Sequence, residues 1–128
     1  MGIKYLSDEY YKEVNNVIQS DESVLNASKN QNVSVQQVIT DSPEGEIKSY
    51  LKITDGTPEV GGGEIEGPEA TITQSYETAV AIAKGELNGQ NAFMQGKLKV
   101  TGNMMKLMQL QPFLQSMGNA SKGLDTEY

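Results

Sequence analysis

The chain contains no cysteine and no histidine. The first absence removes any disulfide framework, thiol nucleophile or cysteine-based metal site. The second removes the side chain most often used as a general base near neutral pH, which is also the commonest metal ligand. Serine–histidine–aspartate and cysteine–histidine nucleophile systems are therefore impossible within this chain. No run of about 18 or more apolar residues occurs, so no segment reads as a membrane-spanning helix. Basic residues are scarce: 10 Lys and Arg stand against 17 Asp and Glu, for a formal net charge of −7. Nucleic-acid binding needs a basic patch that displaces counterions, and this balance argues against it. The start, MGIKYLSDEYY, lacks the apolar stretch of a secretory signal, and Leu6 stands where an acylation motif wants Ser or Thr. The end, LDTEY, is neither a peroxisomal nor an ER-retention address. A cytoplasmic protein is expected.

What is present fits one domain. A chain of 128 residues buries roughly two-thirds of its unfolded surface, enough for a core and one cavity. Gly61-Gly62-Gly63 is followed by no Lys-Ser/Thr and opens no helix, and Gly96-Lys97-Leu98 has Leu where a magnesium-binding hydroxyl would stand. Both read as turns rather than phosphate cradles. Glu64, Glu66 and Glu69 gather on a Gly/Pro-rich loop without EF-hand spacing, which reads as a solvated loop. No catalytic residue, metal or cofactor is expected.

Ser7 and Asp21 are placed to cap two helices, the first carrying a stripe of Tyr10, Tyr11, Val14, Val17 and Ile18. Residues 33–40 (VSVQQVIT) and 47–54 read as strands joined by the turn Asp41-Ser42-Pro43-Glu44-Gly45, with a bulge near Val38-Ile39. In the second strand Ile47, Leu51 and Ile53 point one way and Lys48, Tyr50 and Lys52 the other. A brief strand is expected around Ile65, and another over 70–75 (ATITQS). Ser75 then caps a helix through Lys84 with Tyr76, Val80 and Ala83 on one face and Gly85 as its stop. Residues 88–95 form a helical turn, and 97–101 (KLKVT) a strand with Leu98 and Val100 inward. This order predicts an α+β fold. The domain is expected over 1–118, with a loose polar tail at 119–128.

The stretch 92–110 (AFMQGKLKVTGNMMKLMQL) is the most unusual. Five of the six Met and both Phe lie between Phe93 and Met117. On a helix over 103–117, Leu107, Leu110, Leu114 and Met117 form one stripe, and Met104, Met105 and Met108 a second, turned away from the first. Branched leucine suits fixed packing, whereas flexible methionine suits surfaces that adapt to varied apolar partners. From pattern alone the methionine stripe reads equally as core. Pro112 is expected to kink the helix or start a new turn near Gln111.

The segment 68–114 resembles the sterol carrier protein type 2-like domain family. The resemblance rests on ATITQS (70–75), the helix ending at Gly85, and NGQNAFM (88–94). To these add GKLKVTGN (96–103) and the Met/Leu/Lys helix after it. It implies a five-stranded, largely antiparallel sheet covered on one face by helices, with an apolar tunnel between. Such a domain carries a sterol, fatty acid, fatty acyl-CoA or phospholipid and does no chemistry alone. An accessory module of the same fold, assisting a lipid-handling enzyme or partner protein, is the alternative. The resemblance favours a tunnel wall for Met104, Met105 and Met108, with Phe93, Met94, Val100, Phe113 and Met117 as further candidates. Monomer and dimer both remain open, as does transient membrane contact, although the acidic balance does not favour adhesion to anionic membranes.

Overall fold

A computed structural model describes residues 2–121, 124 and 126–127 of the chain. A two-residue strand β1 (Ile3–Lys4) leads into helices α1 (Asp8–Ile18) and α2 (Glu22–Ser28). Strands β2 (Val33–Ser42), β3 (Gly45–Thr54) and β4 (Thr57–Gly62) follow as a meander, then β5 (Ala70–Ser75). Helices α3 (Tyr76–Ala83) and α4 (Gly89–Met94), strand β6 (Leu98–Gly102), helices α5 (Met104–Gln109) and α6 (Gln111–Ser121), and the short β7 (Thr126–Glu127) complete the chain. The main sheet runs β4-β3-β2-β5-β6; β2 and β5 are parallel and every other neighbour is antiparallel. The expected α+β class and five-stranded, largely antiparallel sheet are thus observed.

Local chemistry sets the helix starts where the sequence places them. The side chains of Ser7, Asp21, Ser75 and Asn103 accept hydrogen bonds from the backbone N–H three residues on, at 3.2, 3.1, 3.2 and 3.2 Å. Gly85 ends α3 with φ +79°, and the Glu86 N–H closes back on the Ala81 carbonyl. Pro112 stands in the first turn of α6, where its missing N–H costs little, and Leu110 forms the corner between α5 and α6.

Several expectations are corrected. The fourth strand is Thr57–Gly62, not a segment around Ile65, because the Ile65 N–H donates to Gln36 Oε1 instead of to a ladder. The bulge in β2 falls between Ile39 and Ser42, a little beyond the slip in the alternation. In α3 the buried residues are Thr78 and Ala79, and Tyr76, Val80 and Ala83 are half-buried. The polar tail does not simply hang free. Helix α6 continues to Ser121, Leu124 packs against the core, and Thr126–Glu127 pairs in parallel with Ile3–Lys4.

The helix-covered face of the sheet is built in rows. Val33 and Ile53 form one row; Val35, Leu51, Val60, Ala70 and Gly102 form the next. Over them pack Val14 and Ile18 of α1, Val24 of α2, Leu107 of α5, Leu110 at the corner and Phe113 of α6. The opposite face is more polar. There the connection after β4 crosses the sheet, held by Gln36, whose Nε2 donates to the Ser49 and Gly63 carbonyls at 2.6 and 3.0 Å.

Candidate functional site

Beyond the main core, the next row of the helix-facing surface changes character. It reads Gly62, Ser49, Gln37, Ile72 and Val100 from edge to edge. Ser49 Oγ donates to Gln37 Oε1 at 3.0 Å, so two polar side chains sit side by side within an otherwise apolar layer. The ring of Tyr11, from α1, lies against Gly62: a Cβ added there would stand 3.1 Å from Cε2. The Tyr11 hydroxyl is buried without a well-formed hydrogen bond among the described residues, and the Ser49 hydroxyl stands nearby, itself donating to Gln37. Burial pushes the Tyr11 phenol above its ordinary pKa, and Ser49 draws it partly back. The following row holds Ile47, Ile39, Gln74 and Leu98, where Gln74 is buried with Oε1 likewise without a partner. A polar seam therefore separates the large core from the buried Ile39 and the buried Ala79 and Ala92 of α3 and α4.

The expected site residues separate into two groups. Phe113 is fully buried in the core, and Val100 and Met117 are half-buried and packed against it. Phe93, Met94, Met104, Met105 and Met108 are exposed. The physical reason lies in the break at Leu110. Leu107, Leu110 and Phe113 turn one face of the α5–α6 corner to the sheet, and among the described residues no element covers the methionines on the other face of α5. Leu114 and Met117, expected in the leucine stripe, do pack against the core.

Two hollows open on the described surface. One of about 210 Å³ is lined by Asp21, Ser23, Ser116, Asn119 and Ala120, and one of about 300 Å³ by Ser75, Glu77, Thr78, Ala81, Leu87 and Lys97. Neither is an apolar tunnel, and side chains pack the layer between sheet and helices. Among the described residues no group of three or more acidic side chains is placed to hold a metal; Glu64 pairs with Lys48 at 2.9 Å. No described helix is long and apolar enough to cross a membrane. The seam and the tyrosine were not singled out in the sequence. The only signal there was Gln37, Ser49 and Gln74 at inward positions of their strands, Gln37 next to the slip in the alternation of β2.

Comparison with known proteins identifies the fold and its relatives. The model of the SCP-2 sterol transfer family matches residues 14–115. Sterol carrier protein 2 of Homo sapiens is 35% identical over 83 residues, which cover 64% of this chain but 15% of that protein. This chain therefore spans only a small part of that relative. A non-specific lipid-transfer protein-like 1 of Caenorhabditis elegans is 30% identical over 111 residues, covering 86% of this chain and 91% of that one. A crystal structure of sterol carrier protein 2 superposes with a TM-score of 0.78 over 94% of this chain and 98% of that one, at 16% identity.

Proposed function

Because the chain belongs to the SCP-2 sterol transfer family, we propose that it is a small lipid carrier. It holds a sterol, fatty acid, fatty acyl-CoA or phospholipid between the sheet and the α5–α6 corner and does no chemistry on it. The observation that carries this reading is the construction of that corner. Leu107, Leu110 and Phe113 anchor it, while flexible methionines share the same short helix. Val100, Phe113 and Met117 are the inner walls of the site, and Phe93, Met94, Met104, Met105 and Met108 its rim. The packed layer opens when ligand enters, the α5–α6 corner moving as the break at Leu110 allows. The absence of His and Cys fits a carrier rather than an enzyme. A cytoplasmic setting belongs to the same proposal.

The test is displacement of a fluorescent fatty acid by a series of unlabelled ones. Each buried methylene contributes about 0.8 kcal/mol, so affinity rises with chain length until the site is full. Affinity independent of chain length would refute an apolar site. A second reading is an accessory module that assists a lipid-handling enzyme or partner protein. It draws on the short share of the human relative that this chain spans. Native mass spectrometry separates the two: a co-purified lipid supports the carrier, and a ligand-free protein that binds no fatty acid supports the module.

A further inference from the structure

The polar seam holds the two buried side-chain atoms that lack a well-formed hydrogen bond among the described residues, the Tyr11 hydroxyl and Gln74 Oε1. Both residues are more than nine-tenths buried, at 8% and 6% exposure. A buried polar group without a partner lowers stability, so two of them in one layer call for a function. Their surroundings are built around them. Gly62 stands opposite Ser49 in the β3–β4 register, and its lack of a Cβ lets the Tyr11 ring lie close there, beside the Ser49 hydroxyl. Ser49 is itself buried and is held on its far side by Gln37. Gln74 stands one row further on, on β5, the strand next to that of Gln37.

Among the described residues no cation lies within the seam. All ten basic residues are Lys, and none of the described ones is buried. Lys48, Lys52 and Lys99 belong to rows of the opposite face of the sheet. Lys97 is exposed in the hollow it shares with Glu77, and Lys106 donates from Nζ to the Asn32 carbonyl at 3.4 Å. Asp8, one turn before Tyr11 on α1, sets a negative charge on that side. Away from Tyr11, the row of Ser49 and Gln37 runs on through Ile72 to Val100, an inner wall of the proposed lipid site. An acyl chain lying along that wall brings its head to the seam.

We infer that the Tyr11–Ser49–Gln37–Gln74 seam receives the head of the ligand and selects an uncharged head bearing hydroxyl groups, as in a monoacylglycerol, over an ionised carboxylate. The inference rests on the carrier reading and narrows its ligand. The Tyr11 hydroxyl has a hydrogen to donate, and Gln74 Oε1 has lone pairs to fill. A ligand hydroxyl accepts from the first and donates to the second, whereas a carboxylate only accepts. A carboxylate would set its charge against Gln74 Oε1 and would lose its water with no cation in exchange. The two atoms stand on different elements, α1 and β5, so a head with two hydroxyls suits them better than one with a single hydroxyl. Water in the seam would satisfy the same atoms but would confer no selectivity between ligands, and selectivity is the quantity to measure.

The experiment is isothermal titration calorimetry of the full chain with three ligands of one chain length: 1-monododecanoylglycerol, methyl dodecanoate and dodecanoate. Each is kept below its aggregation limit, at about pH 8, where a carboxylic acid is ionised. The glyceride is expected to bind at least about tenfold tighter than dodecanoate. It should bind about fivefold tighter than the methyl ester, which is neutral but has no hydroxyl. Tyr11→Phe and Gln74→Met keep the buried volume and remove a polar group, so the melting temperature should not fall. Each should cut the advantage of the glyceride over the methyl ester to about twofold or less and leave methyl ester affinity nearly unchanged. Dodecanoate binding as tightly as the glyceride would overturn the inference and leave the carrier reading standing. So would an advantage over the methyl ester that survives both substitutions, which would assign the seam to water. Failure of all three ligands to bind would overturn the carrier reading and this inference with it.

Discussion

Asn15 and Val60 exchange two hydrogen bonds. Asn15 Nδ2 donates to the Val60 carbonyl and the Val60 N–H donates to Asn15 Oδ1, both at 2.8 Å. Among the described residues strand β4 has only β3 beside it, and here a helix side chain meets backbone groups that a further strand would otherwise pair. Gln19 repeats the device one turn on, donating from Nε2 to the Pro58 carbonyl at 2.9 Å. Asn15→Ala removes both bonds to Val60 and is expected to cost about 1–3 kcal/mol in urea unfolding. Asn15→Asp keeps an acceptor but faces the Val60 carbonyl with a carboxylate, and should cost at least as much. A loss below about 0.5 kcal/mol for both would mean that water replaces the amide without penalty.

Gly102 offers a second point of leverage. Its φ is +98°, and a Cβ there would stand 2.5 Å from the Glu69 carbonyl oxygen and 2.9 Å from the Ala70 Cα. Backbone rather than a flexible side chain is in the way, and the neighbouring Asn103 N–H donates to that same Glu69 carbonyl at 2.8 Å. Gly102→Ala is expected to destabilise by about 1–3 kcal/mol or more. Gly96, with φ +76° but open space around it, should suffer only the conformational part of that cost when changed to Ala. Equal effects at the two glycines would show that the crowding at Gly102 relaxes.

Leu110 and Met108 lie two residues apart with opposite environments, 1% and 68% exposed. Leu110→Ala should cost roughly 2–5 kcal/mol, as buried leucine truncations do. Met108→Ala should fall within about 0.5 kcal/mol of the parent in the absence of ligand. Matched losses in chemical denaturation would place Met108 in the core and remove it from the rim of the lipid site.

Tyr11 links stability to pH. Its phenol is held above the ordinary value by burial, so folding favours the neutral form. That contribution is complete below the unfolded tyrosine pKa of about 10 and is lost as pH rises through the higher folded value. Tyr11→Phe should therefore be neutral or slightly stabilising at pH 7, because a buried hydroxyl without a partner is removed. Above about pH 10 the parent should lose stability faster than Tyr11→Phe. Urea midpoints across that range give the comparison, and parallel curves for the two proteins would contradict the buried phenol.

The sequence by itself determined whatever depends on neighbours along the chain. The four capping side chains, the hairpin at 41–45, the alternation of Ile47, Leu51 and Ile53, the stop at Gly85 and the new turn at Pro112 are bonds or dihedral preferences spanning a few residues. The GKLKVTGN run, through its family resemblance, also placed the five-stranded sheet and its helical cover. Only the tertiary structure decided which apolar faces are covered. Leucine and methionine stripes on one short helix differ by rotation alone. The side turned inward depends on the corner at Leu110 and on where Phe113 finds the sheet. The parallel pairing of β2 with β5 requires a crossover, and Gln36 holds that crossover through atoms of Ser49, Gly63 and Ile65, far away in sequence. The return of Leu124 and Thr126–Glu127 to the body of the domain is of the same kind. Composition marked that segment as polar, but its partners, Ile3–Lys4, stand at the other end of the chain, where no local pattern reaches.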